Sequence, residues 1–254
     1  RRRLDNHVPR GWRSRKARAI TRPEIASLHA TIGSRAPYEA NRLIEILRRM
    51  FKLAKVWGIL EETDPNPADG VDRFPEKKRR RFASPAEVRR IARAIDEVSN
   101  IYMRAAFWLY LLTGARKSEL LQAKRSDIDF ESNLLRLPET KSGEEQYIAL
   151  NRPAMAIIQA LPALDGNPYL LPSTTKEGRH LVNIDKRWGQ LRQAAGVEDL
   201  RLHDLRRTVG SWLSQGGVEL NRIKQALRHQ NISTTLVYAR LGEDPARDAL
   251  EEHG

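Results

Sequence analysis

Residues 101–120 of this chain read IYMRAAFWLYLLTGARKSEL, and this stretch predicts the centre of the larger part of the molecule. Residues 101–113 are almost entirely apolar, which predicts a helix that is buried on all sides. Gly114 ends that helix, and Arg116 lies in the turn before a further helix over about residues 117–125. A helix buried on every face needs other elements around it, so we expect it at the centre of a mainly helical domain.

Capping signals and apolar periodicity predict the other elements of this domain. Ser84-Pro85-Ala86-Glu87 combines a capping box with proline at the first helical position, so a helix begins there and ends near Asn100. Two strand-like runs within residues 133–150 flank Lys141-Ser142-Gly143, which predicts a β-hairpin. Later helices are expected at about residues 152–161, 183–195, 203–215, 219–228 and 231–240. The predicted fold class is mainly α with a small antiparallel β-sheet or hairpin, an α+β domain.

The first part of the chain predicts a smaller helical domain. Residues 1–20 have few large apolar side chains and indicate a basic arm or a strand remnant, whereas Thr21 and Glu24 form a capping-box pattern. A longer helix is predicted over residues 38–57. Its apolar stripe, expected in the core, consists of Leu43, Leu47, Met50, Phe51, Ala54 and Trp57. Its opposite face carries Arg42, Arg48, Arg49, Lys52 and Lys55.

A linker separates these two parts. Residues 63–81 are interrupted by prolines and Gly70 and end in the run Lys77-Lys78-Arg79-Arg80-Arg81, which is typical of a connection between domains. We therefore predict a helical domain with a basic amino-terminal arm over residues 1–75, a basic linker over residues 76–83, and a second domain over residues 84–254.

The positive charge is concentrated before the second domain. The chain has 45 Lys and Arg against 32 Asp and Glu, a net charge of +13. Residues 1–80 hold 20 basic and 10 acidic residues, a net of +10, and residues 81–254 hold 25 and 22, a net of +3. Such an excess favours a polyanionic partner, nucleic acid before anionic lipid. The candidate DNA contacts are Arg42, Arg49, Lys52, Lys77, Lys78, Arg79, Arg80 and Arg228.

Several classes of function lack sequence support. The chain has no cysteine, which excludes disulfides, thiol nucleophiles and cysteine-ligated metals. It contains no Gly-x-x-x-x-Gly-Lys phosphate loop, no Gly-x-Gly-x-x-Gly after a strand and no His-Glu-x-x-His. The longest apolar run, residues 105–112, falls far short of the ~20 residues that span a bilayer. Because the chain begins with Arg rather than Met, we expect a piece of a longer protein.

A scattered polar set in the second domain could carry chemistry. Singly, each member has an ordinary interpretation: Arg116 could pair with Glu119, His203 could cap its helix, and Tyr238 could be a core residue. Together the set supplies what phosphoryl transfer without a metal requires. Guanidinium groups hold phosphate oxygens, histidine moves protons near neutral pH, lysine serves as an acid and tyrosine can attack phosphorus. Its members are Arg116, Lys141, His203, Arg206, His229 and Tyr238.

At these residues the sequence resembles the tyrosine recombinase (phage integrase) family. The resemblance lies in residues 113–120 (TGARKSEL), Thr140-Lys141-Ser142-Gly143, His203-Asp204-Leu205-Arg206, and residues 227–238 (LRHQNISTTLVY). The four pieces occur in the order that the family has, and His229 and Tyr238 are nine positions apart. The resemblance covers essentially the whole second domain.

The resemblance implies a two-domain DNA clamp around double-stranded DNA that needs no cofactor and no metal. Tyr238 would attack the scissile phosphate to give a 3′-phosphotyrosine, while Arg116 and Arg206 hold that phosphate. His229 would donate to the phosphate, and Lys141 would protonate the departing 5′-oxygen. His203 would assist proton movement at the nucleophile, with Glu119 as a supporting residue that orients Arg116.

The resemblance also implies an assembly and a location. The family's usual assembly is a homotetramer on two duplexes, with a monomer or weak oligomer expected without DNA and no membrane partner. We expect a cytoplasmic, nucleoid-associated protein of bacterial or phage origin. A type IB topoisomerase shares the chemistry, and a non-catalytic DNA-binding relative is the alternative from another class; both stay open at this point.

One position departs from the family pattern. The family commonly has glycine just before the second histidine, where this chain has Arg228. If the turn needs a positive φ there, arginine would strain it. Three explanations are open: the local turn differs from that of the family, Arg228 adds a phosphate contact, or activity is reduced. We favour a variation that the family tolerates.

Overall fold

A computed structural model of the chain describes residues 2–76, 79–138, 145–182 and 184–239. The chain divides into two compact units, Arg1–Arg79 and Arg80–Gly254, and the boundary falls inside the segment for which the sequence predicts a linker. Within the described ranges, no helix combines the length and the apolar character that crossing a membrane requires.

The first unit is helical from its beginning. Its elements are α1 (Arg2–His7), 3-10 turns at Arg10–Ser14 and Ala17–Ala19, α2 (Arg22–Gly33) and α3 (Pro37–Val56). The predicted arm or strand remnant over residues 1–20 is therefore wrong. Leu4, Val8 and Trp12, although few, pack against the core of this unit and thereby order the basic segment that carries them. The predicted capping box of Thr21 and Glu24 at the start of α2 is confirmed.

Helix α3 supplies the core of the first unit. Leu43, Leu47 and Phe51 are buried as predicted, and the helix ends one residue before Trp57. Met50 and Trp57, also assigned to the core, are instead 45% and 67% exposed. The prediction fails for Trp57 because the chain leaves the helical path there, which takes the indole off the buried stripe.

The second unit is mainly helical with one small sheet. Its helices are α4 (Pro85–Asp96), α5 (Ile101–Thr113), α6 (Lys117–Leu121), α7 (Arg152–Ala160), α8 (Ile184–Ala194), α9 (Leu202–Gln215) and α10 (Leu220–Ala226). Helix α5 contains the buried residues Phe107, Leu109 and Leu111 and packs against α4, α6, α7 and α9, which confirms its central place. The fold is mainly α with a small antiparallel sheet.

Side-chain caps explain where two helices end earlier than predicted. Helix α4 ends at Asp96 rather than near Asn100, because the Asn100 side chain accepts the Met103 amide (2.9 Å) and so begins α5. Helix α6 ends at Leu121 rather than near residue 125. There the Asp127 carboxylate accepts the Lys124 amide (3.0 Å) and starts a separate 3-10 turn.

The sheet has three antiparallel strands in the order β1 (Ile128–Asp129), β2 (Leu134–Leu137) and β3 (Gln146–Ala149). In the β2–β3 pair, Leu135 lies opposite Ile148, and both side chains are buried in the core of the unit. Strands β2 and β3 confirm the predicted pairing, whereas the connecting residues 139–144 lie outside the described ranges. Strand β1 was not predicted.

The predicted helix over residues 231–240 is wrong. A 3-10 turn at Ile232–Thr234 begins with Asn231, whose side chain accepts the Ser233 amide (2.9 Å), and turns continue to residue 239. Asn, Ser and Thr side chains that bond to nearby groups compete with helix formation, and four of the first five residues of this segment are of these types: Asn231, Ser233, Thr234 and Thr235. The segment therefore folds against α9 and α10 as a compact turn that ends near Tyr238.

Candidate active site

Arg206 lies at the centre of the polar set. It is on the first part of α9, is 2% exposed, and donates from Nη1 to the carbonyl of Gly114 (2.5 Å) and from Nη2 to the carbonyl of Leu227. Gly114 has a φ of +61°, and a Cβ at this position would lie 2.9 Å from the Leu227 side chain. Glycine suits this position, because a residue with a Cβ would be strained at this φ and would crowd the Leu227 side chain.

Arg116 is held by three contacts at the start of α6. Its Nη1 donates to Glu119 Oε1 (2.6 Å), and its backbone amide donates to Glu119 Oε2 (2.8 Å). Its Nη2 donates to the backbone carbonyl of Arg228 (2.8 Å). The ordinary pairing with Glu119 is thus present, yet the Arg116 side chain stays 40% exposed, so the remaining N–H groups can meet a ligand.

The turn after α10 carries the carbonyls that hold both arginines. The amide of His229 donates to the carbonyl of Lys224 (3.0 Å), and the amide of Arg228 donates to that of Gln225 (2.9 Å). These two bonds define a Schellman turn, in which the residue after the cap adopts a left-handed conformation. Arg228 occupies that place with a φ of +51°. The turn thus keeps the positive φ for which glycine is better suited, at a cost of about 1 kcal/mol for arginine.

His229 follows that turn and is almost fully buried. Its Nδ1 lies 2.9 Å from Thr235 Oγ1, and Thr235 is itself fully buried. Burial, together with Arg206 and Arg116, lowers the pKa of His229 to about 4. The imidazole is therefore neutral near pH 7 and carries a single N–H.

Tyr238 packs into the same region from the following turn. It is 4% exposed, its ring is nearly parallel to that of His229 with centroids 6.4 Å apart, and its carbonyl accepts the Ser214 hydroxyl (2.7 Å). Its ring covers Gly210 of α9, where a Cβ would lie 2.4 Å from the nearest ring atom. Burial raises the pKa of Tyr238, while Arg206 acts in the opposite direction.

His203 and Glu119 complete the described part of the set. His203 is exposed in the first turn of α9, and desolvation of its ring with the cations Arg207 and Arg206 lowers its pKa. Burial acts to raise the pKa of Glu119, but Arg228 and Arg116 more than offset that effect and hold the pKa below its ordinary value. Glu119 is thus a carboxylate between two guanidinium groups.

The remaining candidates are placed as follows. Lys141, Lys77 and Lys78 lie outside the described residues. Arg49, Lys52 and Arg80 are exposed and Arg79 is half-buried. Arg42 pairs with Glu45 (2.6 Å) and lies over the ring of Tyr38. The Arg228 side chain, predicted to contact DNA, is only 6% exposed and pairs with Glu119 (2.8 Å), so it does not form an open surface.

Three positions of this region were not assigned from the sequence. Thr235 bonds to His229, Ser214 holds the backbone of Tyr238, and Gly210 makes room for its ring. For Gly210 a signal existed, because a glycine inside a helical pattern usually has a packing reason. Ser214 gave none, since its contact with Tyr238 joins segments that only the tertiary structure brings together. Thr235 lies inside the family-like stretch 227–238, but the pattern assigned no role to it.

Known proteins match the part of the chain that carries these residues. The profile of the Phage integrase family matches residues 81–244. A shufflon-specific DNA recombinase of Escherichia coli is 28% identical over 201 residues, which cover 78% of this chain and 50% of the relative. Tyrosine recombinase XerD of Rhizobium meliloti is 27% identical over 240 residues, which cover 87% of this chain and 75% of the relative. The chain thus spans half of one relative and three quarters of the other.

Solved structures support the same fold. A lambda integrase (residues 75–356) dimer bound to a COC′ core site matches with a TM-score of 0.72 at 20% identity, over 93% of this chain and 84% of that one. The Tn1549 transposon integrase in complex with circular intermediate DNA matches with a TM-score of 0.68 at 19% identity, over 91% and 85%. These similarities concern the fold alone, whereas the family profile spans more than half of the sequence. The chain belongs to the Phage integrase family of tyrosine-type recombinases.

Proposed function

We propose that this chain cuts and rejoins DNA strands at specific sites through a 3′-phosphotyrosine at Tyr238, without metal or ATP. One observation carries the proposal: segments far apart in sequence bring Arg116, Arg206, His229 and Tyr238 together around the turn after α10. Because main-chain carbonyls hold both guanidinium groups, their geometry is set before a substrate arrives. Such preorganised charge is what a phosphoryl-transfer transition state requires.

Arg116 and Arg206 bind the non-bridging oxygens of the scissile phosphate. Burial, Arg116 and Arg228 lower the pKa of Arg206 to about 10, which still leaves it protonated at neutral pH. Two fixed guanidinium groups offset the negative charge that the phosphate gains as the tyrosine oxygen adds. In this role Arg116, which is partly exposed, contacts the phosphate at the protein surface. Arg206 is buried and contacts the same phosphate from below that surface.

His229 acts as a neutral donor to the same phosphate. With its pKa near 4 the ring carries one proton, and the Thr235 hydroxyl next to Nδ1 selects where that proton lies. When the hydroxyl donates to Nδ1, the proton is on Nε2, the ring atom that does not bond to Thr235. Thr235 thus orients the donor, as second partners of catalytic imidazoles do.

The strand transfer is a balanced exchange of ester bonds. The Tyr238 oxygen forms a bond to phosphorus while the bond from phosphorus to the 5′-oxygen breaks. The tyrosine proton passes to His203, and the 5′-oxygen takes a proton from Lys141, which enters from the resemblance of its motif to the family. Rejoining runs the same steps in reverse with the 5′-hydroxyl of a partner strand, so the phosphotyrosine keeps the bond energy.

The substrate in this proposal is double-stranded DNA in the cytoplasm of a bacterium. Two of the similar proteins, lambda integrase and the Tn1549 integrase, are bound to DNA in their structures, and one lambda integrase structure is a tetramer on a Holliday junction. By analogy four copies of this protein would join two duplexes and be monomers or weak oligomers without them. The exposed Arg49, Lys52 and Arg80 would contact phosphates.

A covalent-trapping experiment tests the proposal. The protein is mixed, in the presence of EDTA, with a pool of nicked duplexes whose central sequence is randomised, so that cleavage next to the nick releases a short strand and traps the enzyme. Covalent complexes are recovered by precipitation with SDS and potassium, and their DNA is sequenced. We expect a phosphotyrosine adduct on a restricted set of sequences.

Tyr238→Phe is the matched control, since it removes one hydroxyl and keeps the ring on Gly210. It should bind the selected DNA and form no adduct. An adduct that survives this substitution would overturn the assignment of the nucleophile, and cleavage that requires a divalent ion would overturn the mechanism. A wild-type protein that binds duplex DNA from the pool but forms no adduct would be a non-catalytic relative.

A further inference from the structure

The buried side chain of Arg228 has no place in the reaction proposed above. Its Nη2 donates to Glu119 Oε2 (2.8 Å), its Nη1 donates to the carbonyl of Ala226 (3.1 Å), and its side chain is 6% exposed. Its Nε is buried without a hydrogen-bond partner among the described residues. A buried cation with an unsatisfied donor is costly, so a compensating role is expected at this position.

The backbone conformation at Arg228 also disfavours a residue with a Cβ. The φ of +51° belongs to the left-handed region, where glycine is favoured over any residue with a Cβ. A glycine would keep the Schellman turn, relieve the strain and remove the buried charge. The turn therefore does not account for the presence of an arginine side chain.

What the side chain changes is the charge around Arg116. Glu119 lies 2.6 Å from Arg116 Nη1, and a carboxylate so close offsets much of the attraction of this guanidinium for a phosphate. Arg228 is the second guanidinium on the same carboxylate, at 2.8 Å from its other oxygen. The three side chains together carry one net positive charge, whereas Arg116 and Glu119 alone carry none.

Arg228 also fixes the direction of this carboxylate. Glu119 Oε2 accepts from Arg228 Nη2 and from the Arg116 amide, which leaves Oε1 facing Arg116 Nη1. The carbonyl of Arg228 holds the other terminal nitrogen of Arg116 (2.8 Å). Main chain and side chain of one residue thus act on Arg116 from two sides.

We propose that Arg228 is a positioning residue of the cleavage site, which holds Glu119 against Arg116 and restores the positive charge that Arg116 presents to the scissile phosphate. The inference rests on the proposed function, because that function makes Arg116 a ligand of the phosphate. Arg228 itself touches no DNA in this proposal and acts through Glu119.

Four proteins test this coupling: wild type, Arg228→Gly, Glu119→Gln and the double variant. The measurement is the single-turnover rate of adduct formation on a nicked duplex selected in the trapping experiment, with Arg228→Lys added as the conservative variant. Asn133→Gly is the matched control, since Asn133 also has a positive φ (+55°) and is exposed in the turn before β2. It relieves a similar strain away from the site.

We expect Arg228→Gly to slow cleavage by roughly 10- to 100-fold while its unfolding temperature stays at or above that of wild type. Arg228→Lys should recover part of the rate, and Asn133→Gly should cleave as wild type does. In the Glu119→Gln background, removing Arg228 should change the rate by about twofold or less, because the partner through which it acts is gone. An undiminished rate in Arg228→Gly, or an equal loss in both backgrounds, would overturn the inference.

A second measurement separates this inference from the proposed function. The guanidinium of Arg116 is observed by NMR in the protein without DNA, with its signal assigned by Arg116→Lys. Slow rotation of this group, seen as separate signals for its two terminal nitrogens, should be present in wild type and lost in Arg228→Gly. If wild type forms no adduct, the proposed function fails, but the NMR result still decides whether Arg228 positions Arg116. Unchanged rotation in Arg228→Gly would contradict the inference even if DNA is cleaved.

Discussion

Exposed arginines of the first unit and the buried Arg206 of the second unit are held by different kinds of partner. In the first unit Arg13 and Arg48 form ion pairs with Asp5 and Asp69, and these four side chains are between 38% and 56% exposed. In the second unit Arg206 is 2% exposed and bonds to main-chain carbonyls. Exposed pairs contribute about 0–1 kcal/mol each and are screened by salt. Exposed arginines of this kind contribute positive charge, whereas main-chain carbonyls fix the position of Arg206.

This contrast orders the expected effects of substitution. If the proposed function holds, a change at a buried, carbonyl-bound arginine alters the geometry of one phosphate contact and should reduce the chemical rate strongly. Under the same proposal, a change at an exposed cation of α3 removes one of many phosphate contacts and should weaken DNA affinity slightly, with a dependence on salt.

The largest effect is expected for Arg206→Lys, which keeps the charge and loses the planar fork that bonds to two carbonyls at once. We expect the single-turnover rate of adduct formation to fall by about 10²- to 10³-fold, with DNA affinity reduced far less. Arg187→Lys is the control, because half-buried Arg187 of the same unit donates, among the described residues, to the Gln190 side chain alone (3.0 Å). A rate for Arg206→Lys within a few fold of wild type would show that position matters less here than charge.

An intermediate effect is expected for Gly210→Ala. The new Cβ would lie 2.4 Å from the Tyr238 ring, so the ring must move, and we expect adduct formation to slow by roughly 10- to 100-fold at unchanged DNA affinity. Gly189→Ala is the matched control, since Gly189 also lies within a helix and a Cβ there meets nothing within 4 Å. A faster rate in Gly210→Ala would show that Tyr238 leaves Gly210 before it attacks.

The smallest effect is expected for Arg49→Ala and Lys52→Ala on the exposed face of α3. Each should weaken duplex binding a few fold, lower the slope of log affinity against log salt by about one, and leave the cleavage rate of bound DNA unchanged. Arg42→Ala is the comparison, because Arg42 already pairs with Glu45. Fluorescence anisotropy over a range of salt concentrations measures these slopes. An equal loss of DNA affinity in all three variants would show that the ion pair of Arg42 with Glu45 does not reduce the contribution of Arg42 to DNA binding.

The local elements of the second unit were largely predictable. Helix α5 has the predicted bounds because its apolar composition and the glycine after it are both local signals. The capping box of Ser84, and that of Thr21 in the first unit, were predicted correctly for the same reason. The predictions failed where distant contacts decide, as at residues 1–20, which Trp12 and its neighbours order against α3.

The candidate site shows the same difference between what local signals predict and what distant contacts decide. The sequence motifs supplied the residue types and their order, including Arg116 with Glu119 three positions later. They did not supply the exposure of each group, so Arg228 was assigned to DNA although its side chain is buried. Nor did they reveal that Gly210 makes room for the ring of Tyr238, or that Thr235 of the stretch 227–238 bonds to His229.

Composition and spacing along the chain are enough to identify the family, the central helix and the candidate residues for phosphoryl transfer. Packing of the chain sets which of these residues are buried, which carbonyls hold Arg116 and Arg206, and that Arg228 faces Glu119. Hydrogen bonds and desolvation act between groups within a few ångströms, and the chain brings these groups together only when α5, α9 and α10 pack.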